Sequence, residues 1–170
     1  MKIYNKFKNL YYKYVLKKAT LSSQFRVPSN YNDTATQFVN NNNLSSSTKY
    51  LIWVDTKNFQ VNIFSGSKNK WKLVKNYLCS IGKTSTPTLI GKFKIGAKGY
   101  SFGQNHGYIC YYYSQFKGNY LFHSILYNLD NSVKDGRLGM KISDGCIRLA
   151  KVNAKWIYDN IPYGTTEYIN

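Results

Sequence analysis

The chain has 170 residues, 43% of them hydrophobic and 17% aromatic, which predicts about one domain with a packed core rather than a disordered basic tail. Its 24 Lys and Arg against 7 Asp and Glu give a net charge of +17, which suggests a polyanionic partner such as nucleic acid. Three cysteines are too few for a disulfide-dense small domain, seven acids weigh against a glycosidase with two placed carboxylates, and no apolar run approaches the roughly 18 residues of a membrane helix.

The positive charge is concentrated in the first three quarters of the chain. Residues 1–129 hold 18 Lys and Arg and 2 acids, a net of +16, whereas residues 130–170 hold 6 and 5, a net of +1. The first 18 residues contain six Lys, and Lys13 interrupts their apolar stretch, so they do not resemble a secretory signal. They predict a basic amphipathic helix or a mobile arm; an anchor lost by truncation and export by another route are the alternatives.

Residues 29–48 are rich in Asn, Ser and Thr, and they predict a polar linker because such a composition buries little apolar surface. We place the domain boundary near residue 47. Residues 1–47 are then a basic N-terminal extension with its linker, and residues 48–170 are the folded domain.

Beyond residue 48 the pattern is typical of short strands. Residues 50–54 and 59–64 alternate with period two around a polar turn and predict a hairpin. A helix is predicted at 152–160 from apolar residues at helical spacing before Pro162. Further strands are predicted at 71–81, 93–95, 108–113, 120–126 and 165–169, with a glycine-punctuated stretch at 96–107. The whole predicts a mainly-β sandwich or barrel with one or two short helices.

A candidate nucleophile, Cys146, follows Gly145 in a polar turn that leads into an apolar run. Glycine allows a positive φ and a close approach of substrate, and the amides of such a turn can converge on an oxyanion. A thiol needs a base, and the chain has two histidines: His123 in a strand and His106 in a glycine-flanked loop. A buried structural cysteine and a satisfied core histidine are the alternatives that these residue types leave open.

The arrangement resembles the catalytic signature of the L,D-transpeptidase (YkuD-like) family. His123 and Ser124 are followed, after 18 residues, by Ser143-x-Gly145-Cys146-Ile147-Arg148. The resemblance continues through the opening hairpin at 50–64, residues 80–88 and 91–95, and the closing helix and strand at 153–165. It covers about residues 49–170 and implies that family's β-rich catalytic fold.

The resemblance implies cysteine acyl transfer on peptidoglycan. Cys146 is then the nucleophile and His123 the general base and acid, with the backbone carbonyl of Ser124 orienting the imidazole and the amides of Gly145 and Cys146 binding the oxyanion. The substrates are stem peptides, and the products are 3→3 cross-links. An L,D-carboxypeptidase that uses water as acceptor is the first alternative, and a non-catalytic basic module that binds the wall or another polyanion is the second.

Arg148 stands where relatives have Asn or Arg. It is interpreted either as a bidentate hydrogen-bond donor to a substrate carboxylate or as the partner of a nearby acid. Asp144 replaces the family's usual His beside Ser143, and its carboxylate is expected to raise the pKa of the thiol unless Arg148 or a lysine offsets it. We therefore expect Asp144 to tune the site through a pair with a cation.

The remaining expectations concern partners and location. Cys79 and Cys110 are interpreted as core thiols, with a disulfide between them as the alternative in an oxidising compartment. No spacing of His, Cys and acids suggests a metal, and no cofactor is expected. His106 is expected near the mouth of the cleft.

The signature favours peptidoglycan stem peptides and anionic wall polymers over nucleic acid as partners, and it implies an extracytoplasmic location at the cell envelope.

Overall fold

The computed structural model describes residues 28–170. The predicted basic helix or arm at the start of the chain lies outside the described residues. Within residues 28–170, no helix is both long enough and apolar enough to cross a membrane.

Twelve strands and two α-helices make up the described chain. In order they are α1 (Tyr31–Asn41), β1 (Tyr50–Asp55), β2 (Gln60–Ser65), β3 (Lys72–Gly82), β4 (Gly91–Lys94), β5 (Lys98–Phe102), a 3₁₀ turn (Gln104–His106), β6 (Cys110–Lys117), β7 (Tyr120–Ser124), β8 (Leu126–Tyr127), β9 (Val133–Asp135), β10 (Lys141–Ser143), β11 (Ile147–Leu149), α2 (Lys151–Asn160) and β12 (Thr166–Ile169).

Ten of the strands form one curled sheet in the order β4-β12-β1-β2-β3-β11-β7-β6-β5, with β10 paired to β3 outside this path. Its ends approach each other: the rings of Phe93 on β4 and Phe116 on β6 lie 5.7 Å apart, and the Gly96 amide donates to the Gln115 carbonyl. The curl encloses an apolar core into which α2 inserts Ala154 and Ile157. The predicted mainly-β, barrel-like fold is confirmed.

Helix α1 corrects the prediction of a linker over residues 29–48. Tyr31, Ala35, Phe38 and Val39 lie on one helical face and pack on the outer surface of the hairpin, where the ring of Phe38 stacks 4.3 Å from that of Trp53. The polar composition concealed an apolar stripe at i, i+4, i+7 and i+8, which is the spacing of one helix face.

Side-chain hydrogen bonds fix α1 on the sheet. The Tyr31 hydroxyl donates to Asp55 and accepts from Asn62, at 2.9 and 3.0 Å. The side chain of Asn40 donates to the Trp71 carbonyl and accepts from its amide. Both faces of β1 and β2 are therefore covered, one by α1 and the other by the main core.

The other predicted elements match within a few residues. The hairpin, the long strand ending at Gly82, the helix Lys151–Asn160 and the last strand are all present. The glycine-punctuated stretch differs, since it contains strand β5, paired with β6. Gly99 permits this pairing, because a Cβ there would lie 2.3 Å from the ring of Tyr113.

Candidate active site

A cavity of about 140 Å³ brings together most of the predicted site residues. His123, Ser143, Asp144, Cys146 and Arg148 all line it. The remaining lining residues are Phe102, Tyr108, Cys110 and Leu126. Residues separated by as many as 46 positions in the chain therefore face one volume.

Pairing between β7 and β11 brings the nucleophile near the base. These strands run parallel, with Arg148 opposite His123 and Leu149 opposite Ser124. Cys146 directly precedes β11, so its backbone leaves a sharp turn at the strand's start. The candidate base therefore lies on the strand next to the one that the candidate nucleophile precedes.

The turn before Cys146 depends on glycine. Gly145 has a φ of +116°, and a Cβ at this position would lie 2.5 Å from Cε1 of Tyr120. The Ser143 hydroxyl accepts from the Gly145 amide at 3.1 Å and donates to the Cys146 carbonyl at 2.5 Å. Ser143 thus holds the turn in shape, and the ring of Tyr120 covers it.

The sequence assigned no role to Thr88, which is a second clamp on this turn. Its buried hydroxyl accepts from the Gly82 amide at 2.9 Å and donates to the Gly145 carbonyl at 2.8 Å. The Lys83 amide also donates to the Ser143 carbonyl at 2.9 Å. The signal was available, since Thr88 falls in the 80–88 segment that resembles the family, but only the fold shows what it touches.

The imidazole of His123 is buried, and its Nδ1 lies 2.6 Å from the Ser124 carbonyl oxygen. Since a carbonyl only accepts, Nδ1 carries the proton and Nε2 is left as the basic nitrogen. Burial lowers the pKa of His123 to about 4, because it penalises the imidazolium more than the Ser124 carbonyl favours it, and the Arg148 charge lowers it further. The imidazole is therefore neutral at neutral pH.

Burial also raises the pKa of the Cys146 thiol, and the Asp144 charge acts in the same direction. A hydrogen bond from the Leu121 backbone and the positive charge of Arg148 oppose this rise. The sulfur lies 3.4 Å from the Asn119 carbonyl oxygen, to which a protonated thiol can donate. The resting site thus pairs a neutral thiol with a neutral imidazole.

Asp144 is paired, as expected from the sequence, and its partner is a lysine. Lys83 Nζ lies 2.6 Å from Asp144 Oδ1, and both side chains are largely exposed. Lys83 holds the pKa of this carboxyl below its usual range. The charge beside the thiol is therefore offset locally.

Arg148 is paired with a nearby acid and also lines the cavity. Its NH1 lies 3.1 Å from Asp135 Oδ2, with side chains 11% and 18% exposed. Arg137 also binds Asp135, and its hydrogen bonds are the main reason why the pKa of this carboxyl falls to about 2. The Nε of Arg148 is buried and has no partner within residues 28–170.

One expectation about the oxyanion needs correction. The Gly145 amide already donates to Ser143 Oγ, so it does not point freely into the cavity. The Ser143 hydroxyl does not accept from the Cys146 amide. It donates its proton to the Cys146 carbonyl. Gly145 is not a free donor because the Ser143 hydroxyl accepts from its amide and closes a tight side-chain turn over it.

The other candidate residues lie as follows. Cys79 and Cys110 are buried free thiols, so the alternative of a disulfide between them is wrong in this structure. Cys110 also lines the cavity that contains Cys146 and His123. His106 is exposed in the 3₁₀ turn, with its ring 6.2 Å from that of Tyr108, another lining residue. Among the described residues, no three His, Cys or acids are grouped to hold a metal ion.

The comparisons with known proteins indicate one family. Residues 49–169 match the model of the L,D-transpeptidase catalytic domain, YkuD. A crystal structure from Clostridium acetobutylicum ATCC 824, described as a fused Zn-dependent amidase/peptidase/peptidoglycan-binding domain-containing protein, is 43% identical with a TM-score of 0.71. That match covers 82% of this chain and 59% of the clostridial one.

Two further relatives differ in what they share with this chain. YciB of Bacillus subtilis (strain 168), which carries an L,D-transpeptidase name, is 45% identical over 56 residues, or 31% of this chain and 29% of YciB. The L,D-transpeptidase of Stackebrandtia nassauensis is 16% identical with a TM-score of 0.57, covering 76% of this chain and 59% of its own, and shares the fold alone. The chain thus spans under a third of YciB and about three fifths of the solved relatives.

Proposed function

The chain belongs to the family of YkuD L,D-transpeptidase catalytic domains, and from that premise we propose that it is a cysteine acyltransferase that forms 3→3 cross-links between peptidoglycan stem peptides. The observation that carries the proposal is the single cavity lined by Cys146 and His123, with His123 Nδ1 held by the Ser124 carbonyl. A nucleophile, a base and a group that orients the base are what two-step acyl transfer requires.

Acylation begins from the neutral pair. Nε2 of His123 takes the thiol proton as the Cys146 sulfur attacks the carbonyl of the third residue, a diamino acid, in a donor tetrapeptide stem. The Cys146 amide stabilises the oxyanion that forms. When the intermediate collapses, the imidazolium returns the proton to the leaving amine, D-alanine departs, and a thioester remains on Cys146.

The thioester is resolved by an amine of a neighbouring stem. That amine attacks the thioester carbonyl and gives up a proton to His123, and the thiolate that leaves recovers the proton from the imidazolium. The product is an amide between the third residues of two stems. Water in place of the amine gives a trimmed tripeptide, which is the L,D-carboxypeptidase alternative.

The charge distribution supports a location at the wall. The net of +16 over residues 1–129 suits retention by anionic wall polymers and stem carboxylates, whereas the nearly neutral last 41 residues contain the catalytic turn. We place the protein outside the cytoplasm, at the envelope, because its proposed substrate lies there.

Intact mass spectrometry after incubation with a carbapenem-type acyl donor tests the proposal. The wild type should gain the mass of one donor, and the Cys146→Ala variant should gain nothing. An unchanged wild-type mass would contradict the proposed enzyme activity and favour the alternative of a non-catalytic basic binding module. Muropeptide analysis by mass spectrometry then separates cross-linked dimers, the expected product, from trimmed tripeptides.

A further inference from the structure

A second cavity lies at the ends of the strands that hold the catalytic turn. It has a volume of about 180 Å³ and is formed where β3 ends, by the loop after it and by the start of β10. Lys83, Thr84, Thr88, Ile90 and Lys141 are among the residues that line it. The nucleophile and the base of the proposed chemistry line the other cavity.

The second cavity carries an excess of positive charge. Lys83 and Lys141 line it, and no acidic side chain does. Within the described chain, Lys141 forms no ion pair. The catalytic cavity differs, because its Arg148 is neutralised by Asp135 and its Asp144 by Lys83. An unneutralised ammonium beside an open cavity attracts an anion.

Two residues that line the second cavity bind the catalytic turn, which lines the first. Lys83 lines the second cavity, and its ammonium reaches the carboxylate of Asp144, which lines the first. Thr88 lines the second cavity and donates to the Gly145 carbonyl, one residue before the nucleophile. Lys141 begins β10, two residues before Ser143, so both lysines of the second cavity lie close to the turn that presents Cys146.

We propose that the second cavity binds a carboxylate of the peptide substrate, with Lys141 as its main cation. Lys83 contributes as well, because an ammonium has three donor hydrogens and its bond to Asp144 uses one of them. The Thr84 hydroxyl is a further donor in the lining. This inference rests on the proposed function, since it assumes that a peptide occupies the catalytic cavity.

Two substrate carboxylates have this chemistry. One is the C-terminal carboxylate of the donor stem, which leaves with D-alanine. The other is present where the acceptor's diamino acid has a side-chain carboxylate beside its attacking amine. In both cases the site prefers the free carboxylate over its amide, because an amide carries no charge for Lys141 to neutralise.

Binding by calorimetry on the Cys146→Ala background tests this without turnover. The probes are a donor tetrapeptide with a free or an amidated C-terminus, and an acceptor stem with a free or an amidated side-chain carboxylate. Lys141→Gln removes the cation and Lys141→Arg keeps it. Lys72→Gln is the matched control, because it removes the same charge from an exposed residue at the opposite end of β3.

We expect one free-carboxylate probe to bind about tenfold more tightly than its amide, and that preference to vanish in Lys141→Gln while it persists in Lys141→Arg and Lys72→Gln. The probe that shows the preference identifies the carboxylate. Equal affinity for both members of each probe pair, or a preference that survives Lys141→Gln, would overturn the inference. Neither result depends on acylation of Cys146, so the proposed function stands or fails separately.

Discussion

Lys83 Nζ lies 2.6 Å from Oδ1 of Asp144, two positions before the candidate nucleophile. The pair places a carboxylate beside a thiol and neutralises it in the same contact. Asp144 raises the pKa of Cys146, so the lysine compensates for a charge that disfavours the thiolate.

Removing the lysine and removing the carboxylate of this pair should shift the pKa of the Cys146 thiol in opposite directions. Lys83→Gln leaves Asp144 unpaired, which raises the pKa of Cys146 and slows acylation about two- to fivefold, the range of an exposed ion pair. Asp144→Asn lowers that pKa and speeds acylation by a similar factor. The thiol pKa from the pH dependence of alkylation and the acylation rate measure both effects.

The double variant Lys83→Gln/Asp144→Asn is the control for that prediction. Because it removes both charges, it should return close to the wild-type thiol pKa. Equal thiol pKa values in all four proteins would show that Asp144 does not act on Cys146 electrostatically.

The pH dependence of acylation should have an unusually acidic lower limb. A base protonated at an ordinary histidine pKa of 6.5 would lose activity at pH 5.5, but burial places the pKa of His123 at about 4. The rate should therefore stay nearly constant from pH 7 to 5.5 and fall about tenfold per pH unit only below the pKa. Stopped-flow acylation, with circular dichroism to verify folding, measures this; a midpoint near 6.5 would show that the imidazole is not desolvated during catalysis.

Thr88 should affect the acylation rate, because its hydroxyl holds the turn before Cys146. Thr88→Val keeps the volume but leaves the Gly82 amide and the Gly145 carbonyl without their shared partner. We expect acylation to slow about tenfold and the free energy of unfolding to fall by about 1–3 kcal/mol. Thr88→Ser retains the hydroxyl and should recover most of the rate. If Thr88→Val lost stability and kept its rate, the residue would be structural only.

Glu167 should make the stability depend on pH. It lies on β12 between Ile52 and Phe93, and both of its carboxyl oxygens are buried without a partner within the described chain. Burial raises its pKa well above the ordinary value of 4.5. The folded form therefore keeps a proton that the unfolded chain releases above pH 4.5, so this contribution to stability is present below that pH and is lost as pH rises towards the folded pKa.

Chemical denaturation of the wild type and Glu167→Gln at several pH values measures this contribution. The free energy of unfolding of the wild type should fall by up to about 1.4 kcal/mol per pH unit above pH 4.5, until the folded carboxyl ionises. Glu167→Gln cannot ionise and should lack that slope. Parallel pH profiles for the two proteins would contradict the burial of a neutral carboxyl.

Local patterns predicted much of the molecule because they depend on neighbours in the chain. Alternation at residues 50–64 predicted the hairpin, and helical spacing before Pro162 predicted α2. Tertiary packing overrode local composition in two places. The polar segment around α1 folds because Tyr31, Phe38 and Val39 bury against β1 and β2, and β5 forms because Gly99 lets Tyr113 lie on its backbone.

By itself, the sequence determined which residues the chemistry has available: Cys146 after Gly145, two histidines, and a charge held almost entirely outside the last 41 residues. Only the tertiary structure decided which groups meet. The partner of Asp144 is Lys83, that of Arg148 is Asp135, and that of the Gly145 carbonyl is Thr88. Each contact joins residues 13 to 61 positions apart, and such residues meet only when the strands pair and the connecting loops pack against them. The net charge of +17 therefore indicates a class of partner, whereas its arrangement around the two cavities indicates where a substrate is held.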